Sequence, residues 1–414
     1  MSGNGKNIVI VGAGFGGVTA ALSLASHQAL AKAGFTIILI DRHHHQLYTP
    51  ALYEIAAIPS DYAADPSLKA AALIPFADIV RGKPIQFLSD EFIGLDAATK
   101  KIVLRKHGPL AYTFLILALG SETNYFDIPG LKEHSLALKT PEDAVRLRNV
   151  IEQSIDKESL NIIIGGAGSS GVELIAEFIN FLCLLQERRH AHDRHVCNIQ
   201  FTLVEAAHTI LPGFDRWVVA KARQRLISLG IRIKAGASIT AVTAATISFS
   251  DGTTSPFDIL IWTGGVRGPS LLETLGLPLS SKKALVVDAH LRVEGRDAIF
   301  AIGDNATFTN PPTGTPLVWN VPAAEAEARH VAKNITRIIR GKQEKKFVPL
   351  RRYPFILAVG KKYAIADLIF FKCAGLFGWL AKILVELRYL LFILPPHSAL
   401  SLWWQDVKLY RSND

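Results

Sequence analysis

Two short runs carry the residue types that hold phosphate. VGAGFGG, from Val11, sets Gly12, Gly14 and Gly17 in GxGxxG register, and GGAGSSG, from Gly165, repeats the spacing at Gly166, Gly168 and Gly171. In this spacing the first glycine permits a tight turn. The second lets the backbone approach a pyrophosphate, and the third lets helix pack on strand. A phosphate placed there meets unpaired backbone N–H groups at the positive end of a helix dipole. After each run comes an apolar strand that closes on an acid, FTIILID at Asp41 and NIQFTLVEA at Glu205. Such a carboxylate can hold ribose hydroxyls. Glu205 would accept from a 2′-hydroxyl and repel a 2′-phosphate, which predicts NADH in preference to NADPH.

The elements that must position these residues read off the flanks. NIVIVGAGFGGVTAALSL from Asn7 and NIIIGGAGSSGVELIAEF from Asn161 are near copies: a β-branched run, a glycine cluster, an amphipathic segment. The second copy reaches its next strand through QERRHAHDRH, expected to be a longer helix and a solvated loop. FLILALGSE (Phe114–Glu122), DILIWTGGVRG (Asp258–Gly268) and DAIFAIGDNAT are apolar strands with small-residue tails. Tails of this kind suit a chain passing close to a nucleotide. They deliver Gly265 in the second and Asp304 after the third, the latter near the first site. Two dinucleotides bound face to face would let a hydride pass between them, one a nicotinamide and the other a flavin.

The totals narrow the class. A chain of 414 residues has room for two or three domains. Its mean hydropathy of +0.25 lies on the apolar side for a soluble protein. Cys183, Cys197 and Cys373 form no CxxC and no metal-ligand spacing, so no metal site is expected. A strand starting within the first seven residues leaves no room for a leader and predicts a cytoplasmic protein. Residues 337–414 hold 14 of the 45 Lys and Arg but 5 of the 36 Asp and Glu, a net +9, while the remainder is neutral. Nucleic-acid binders spread basic residues over a face of the fold; a basic terminal segment argues for no nucleic-acid partner.

On these residues the sequence resembles the two-dinucleotide flavoproteins, and specifically the type II NADH dehydrogenases, single-chain NADH:quinone oxidoreductases. VGAGFGG, DRHHHQLYTPALYEIA, GGAGSSGVELIAEF, WTGGVRG, AIGDNA and the C-terminal FILAVGKKYAIADLIFFKCAGLFGWLAKIL carry the likeness, which spans essentially the whole chain. The resemblance implies an α/β fold of two Rossmann-like dinucleotide-binding domains, the FAD domain interrupted by the NAD domain, plus a C-terminal amphipathic-helix membrane anchor. The corresponding divisions are 1–120 and 291–345 for FAD, 121–290 for NAD and 346–414 for the membrane. FAD is implied at Gly12, Gly14, Gly17, Asp41 and Asp304, with Thr49 and Pro50 beside the flavin ring. NADH is implied at Gly166, Gly168, Gly171 and Glu205. Glu173 matches a family glutamate near flavin and nicotinamide, assigned to substrate binding or proton handling. The implied reaction is a ping-pong relay: NADH reduces FAD, NAD⁺ leaves, and two electrons pass to a membrane quinone without ion pumping.

One departure stands out. Where the family carries an Ala-Gln pair and a further Gln, WNVPAAEAEARHVAKNI has Val321, Pro322 and Ala326. Asn320 can still cap this helix and Pro322 suits its first turn. Its positive end, around Ala323 and Ala324, can stabilise negative charge on a flavin. The amide that would bind a quinone carbonyl is missing, so the acceptor is the open question.

The tail AGLFGWLAKILVELRYLLFIL (Ala374–Leu394) nearly spans a bilayer in length, but Lys382, Glu386 and Arg388 interrupt it. Lys382, Glu386 and Tyr389 share one helical face and leave the rest apolar. A second helix is expected after Pro395-Pro396, capped by Ser398, with Leu400, Trp403, Trp404 and Val407 on one face. Paired tryptophans on an apolar face predict a monotopic anchor on the cytoplasmic face of the cell membrane. Monomer and homodimer stay open. Disulfide reductases need a dithiol that is absent; sulfide:quinone reductases, ferredoxin-type reductases and an apoptosis-inducing-factor-like binding module are the rivals.

Overall fold

The computed structural model describes residues 6–60, 66, 68, 71–155, 157, 159–189 and 198–410. The first elements are β1 (Lys6–Val11), α1 (Phe15–Ala25), β2 (Phe35–Asp41), α2 (Leu52–Ile55), β3 (Ile85–Ser89) and β4 (Phe114–Leu117). There follow β5 (Leu136–Ala137), β6 (Ser159–Gly165), α3 (Ser169–Arg189), β7 (Asn198–Glu205), β8 (Arg232–Ala235) and β9 (Ile259–Trp262). The chain ends with β10 (Ile299–Ala301), α4 (Val321–Ile339), β11 (Phe355–Ala358), β12 (Ala364–Asp367), β13 (Lys372–Gly375), α5 (Leu376–Ile393) and α6 (Pro396–Tyr410). Two compact units contain them. One comprises Met1–Leu47, Ile74–Glu122 and Val266–Tyr353; the other comprises Tyr48–Leu73, Thr123–Gly265 and Pro354–Asp414.

The first unit is built on a parallel sheet in the order β10-β4-β1-β2-β3. Ile8, Val9 and Ile10 of β1 and Leu115, Ile116 and Leu117 of β4 are fully buried. Strands covered on both faces take such continuous apolar runs in place of an alternating pattern. The second unit repeats the plan in the order β5-β9-β6-β7-β8, again parallel. Each unit also carries a three-stranded antiparallel meander, residues 92–111 before β4 and residues 239–256 before β9. The duplication therefore extends well beyond the glycine turns.

Helix α3 runs through Arg189, as the long connection after the second turn predicts. Residues 190–197, with most of the polar run and Cys197, lie outside the described residues.

The tail belongs to the second unit. An antiparallel sheet of β11, β12 and β13 leads into α5 and α6, which pack on each other. On α5 the polar stripe points inward: Glu386 and Tyr389 are buried and Lys382 nearly so, while Leu376, Phe377, Leu380, Leu384 and Val385 are exposed. A water-soluble helix has the opposite arrangement. Helix α6 starts at Pro396, two residues before the expected cap at Ser398. The Ala399 N–H donates to the Pro395 carbonyl at 2.9 Å, so the turn is already helical there. Trp404 is exposed, whereas Trp403 lies against α5 and donates its indole N–H to the Ile383 carbonyl at 3.0 Å. No helix among the described residues is long and apolar enough to cross a membrane.

Candidate functional site

The two glycine turns are alike bond for bond. Gly12 follows β1 with φ +92° and donates its N–H to the Ile40 carbonyl at 2.8 Å; Gly166 follows β6 with φ +103° and donates to the Val204 carbonyl at 2.8 Å. A Cβ on Gly12 would strike the Ala118 carbonyl, and one on Gly166 would strike Gly264. A Cβ on Gly17 would collide with the Gly12 carbonyl, and one on Gly171 with that of Gly166. The middle glycines differ in kind. Gly14 and Gly168 have nothing within 4 Å of a built Cβ, so their open side faces space. Gly14 also starts α1 with no side-chain cap and no acid in the first turn, which leaves the end of the helix dipole to a ligand.

The acids close each cradle from the neighbouring strand. Asp41 accepts the Ala13 N–H at 2.8 Å and the His43 N–H at 2.9 Å. Glu205 accepts the Ala167 N–H at 2.7 Å and the Ala207 N–H at 2.9 Å. Each carboxylate thus ties the second strand to the glycine turn and stands beside the open glycine. These observations fit a dinucleotide at each turn.

Around the first cradle, Asp304 accepts the Ser121 hydroxyl at 3.0 Å, and the adjacent Asn305 is buried with its Oδ1 unpartnered. Gly303 donates its N–H to Glu327 of α4 at 2.6 Å. Burial pushes this carboxyl up to about 8; the Gly303 bond opposes that and the Asp304 charge adds to it. Asn320 caps α4, taking the Ala323 N–H on its side chain at 2.9 Å and the Ala324 N–H on its carbonyl at 3.1 Å. What α4 offers a ligand there is its dipole, since these two N–H groups are engaged.

In the second unit, Gly265 accepts the Asn124 N–H at 3.0 Å and its Cα faces the Phe126 ring. Thr49 and Pro50 form an exposed 3₁₀ turn leading into α2. Glu173, in the first turns of α3, receives the Ala358 N–H at 3.4 Å. Burial raises its carboxyl to about 8, Lys382 drawing it down and Glu54 pushing it further up. Glu54 of α2 is buried and ion-paired with Lys382 of α5, whose ammonium also lies over the Tyr53 ring at 5.4 Å. In the sequence Lys382 and Glu386 belong to a polar stripe, and Glu54, Glu327 and Asp406 stand out by no spacing or motif. Of these only Glu54 carries a signal, an acid inside the apolar run LYEIAAI; Glu327 sits in the charged run EAEARH, which gives none.

Comparison with known proteins fits this geometry. The profile of the pyridine nucleotide-disulphide oxidoreductases matches residues 6–328. The chain belongs to that family. As a pyridine nucleotide-disulphide oxidoreductase it is 30% identical over 395 residues to the demethylphylloquinone reductase NdbB of Synechocystis, covering 92% of this chain and 91% of that one. It is 27% identical over 356 residues to the type II NADH:quinone oxidoreductase of Staphylococcus haemolyticus, covering 82% and 84%. Its fold matches NDH2 of Plasmodium falciparum in complex with NADH, with TM-score 0.81 at 18% identity and 97% of each chain covered. The sulfide:quinone oxidoreductase of Aquifex aeolicus follows at TM-score 0.77 and 17% identity, covering 99% and 92%. Cys373, the free cysteine described, lies half-buried in β13 of the tail.

Proposed function

We propose that this oxidoreductase is an NADH:quinone oxidoreductase of the type II class, which moves reducing equivalents without pumping ions. The observation that carries the proposal is the pair of equivalent cradles, each open at its middle glycine and closed by an acid. The relatives supply the acceptor class, one named for NADH and quinone and one for demethylphylloquinone.

Gly12, Gly14, Gly17 and Asp41 would hold FAD, with Asp304, Thr49, Pro50 and the α4 end at Ala323 and Ala324 around it. Segments 1–120 and 291–345 would then form the FAD domain. Gly166, Gly168, Gly171, Glu205 and Gly265 would hold NADH within 121–290. Bound FAD supplies hydride acceptance and return of two electrons. The chain's own part is position and charge. Glu205 admits a ribose with a free 2′-hydroxyl. Glu173, with its carboxyl near 8, keeps a proton at neutral pH and can exchange it at Oε1 or Oε2.

The acceptor side rests on residues 346–414. The exposed Leu376, Phe377, Leu384, Leu400 and Trp404 suit insertion into one leaflet, and Phe370 and Phe371, both exposed, add to that surface. Lys and Arg of the tail would attract anionic lipid at about 1 kcal/mol each. This surface supports reading the tail as a monotopic anchor, on the cytoplasmic face in our proposal.

The test is anaerobic. The purified protein is mixed with NADH or NADPH and then with a short-chain quinone, and its visible absorption is followed. NADH should bleach it faster than NADPH, and the quinone should restore the colour. Restoration by a protein acceptor alone would overturn the quinone assignment.

A further inference from the structure

Glu386 on α5 and Asp406 on α6 take no part in the reaction as described above. Both are buried, with 6% and 4% of their surface exposed, and their carboxyl groups hydrogen-bond each other. Two carboxylates cannot do this, because a carboxylate only accepts. A hydrogen bond between them needs hydrogen on one of the four oxygens, so the pair is built to hold a proton. The groups facing the pair are known. Glu54 and Tyr48 come from the α2 side, and Lys382 and Tyr389 from α5, with the Tyr48 and Tyr389 rings 5.9 Å apart. From α3, Glu173 and Glu177 face Lys382 and the Tyr53 ring beside it. The Lys382 ammonium, ion-paired with Glu54, is the charge that draws Glu173 and Glu386 down. Burial first, and the neighbouring acids with it, raises both carboxyls of the pair well above the usual carboxylate range. Burial first and the nearby acids second keep the Tyr48 phenol neutral.

We propose that the Glu386–Asp406 pair stores the proton that quinone reduction draws from the protein, discharging toward the Glu54–Lys382 ion pair and refilling from water. The inference rests on the NADH:quinone reading. The balance is NADH + H⁺ + quinone → NAD⁺ + quinol. The hydride brings two electrons and one proton. The second proton leaves the O–H of the pair, which gains one negative charge until water returns a proton. The opposite faces of the same two helices expose apolar side chains. Where those faces lie in lipid, water is scarce, and a stored proton is worth having beside the acceptor.

The test uses the flavin-loaded enzyme in liposomes, with Glu386→Gln, Asp406→Asn and the carboxyl-preserving double variant Glu386→Asp/Asp406→Glu. Flavin bleaching by NADH and reduction of ferricyanide, which takes electrons without protons, should stay within about twofold of the parent enzyme. Quinone reduction at pH 8 should fall by about 10²-fold, the size of a lost general acid. That deficit should shrink as the pH is lowered, and the double variant should recover most of the rate. Unchanged quinone rates and pH profiles in the amide variants would overturn the proposal. So would an equal fall in quinone and ferricyanide rates, which marks a structural role. An unsubstituted enzyme that reduces ferricyanide but no quinone would refute the underlying reading, and this shows without any variant.

Discussion

At the scale of single residues, the chain keeps several carboxyl groups protonated near neutrality. Glu327 is the simplest case. Burial raises it to about 8, and its partner is a backbone N–H, with no ion pair to it among the described residues. A carboxyl whose folded value exceeds its unfolded value stabilises the fold fully below the unfolded value, near 4.5. That contribution is lost as pH rises through about 8. Denaturant midpoints should therefore fall between pH 5 and about 8, and Glu327→Gln should flatten the slope by up to about 1.4 kcal/mol per pH unit. An unchanged slope in that variant would mean that Glu327 ionises normally. None of this was legible in the sequence. EAEARH on a helix reads as a solvated face, and it is the packing of α4 against α1 and the Gly303 turn that leaves Glu325 and Glu327 buried.

At the scale of elements, the glycine turns were legible to the residue, because a GxGxxG between a β-branched run and an amphipathic one has few structural solutions. The tail was legible in part. The i, i+4, i+7 spacing of Lys382, Glu386 and Tyr389 marked a stripe, and the stripe exists. That it points inward could not be read, because periodicity fixes which residues share a face and not which face meets protein. The consequence is testable in α5. Leu384→Asp and Phe377→Asp sit on exposed apolar positions, 62% and 73% exposed, so neither removes a buried contact. Each should weaken liposome flotation by about tenfold or more, given about 1.5–3 kcal/mol for burying such a side chain. Flavin content should not change. Flotation equal to the parent would show that these helices do not face lipid.

At the scale of the whole molecule, one architecture is used twice: a parallel sheet with the strand before the glycine turn at its centre, an antiparallel meander, and a closing strand beside the glycine turn. The sequence announced the turns and strands of this duplication but not its meanders. Residues 92–111 and 239–256 share little pattern, and antiparallel hairpins tolerate many sequences once their turns are satisfied. The central claim is that the two turns hold two different redox carriers. Gly12→Ala and Gly166→Ala separate them, since each built Cβ strikes backbone within its own unit. The deciding measurement is the visible spectrum of both variants before and after anaerobic NADH. Gly12→Ala should come out colourless, while Gly166→Ala should be yellow and fail to bleach. A yellow Gly12→Ala protein, or a Gly166→Ala protein that bleaches like the parent, would contradict the account.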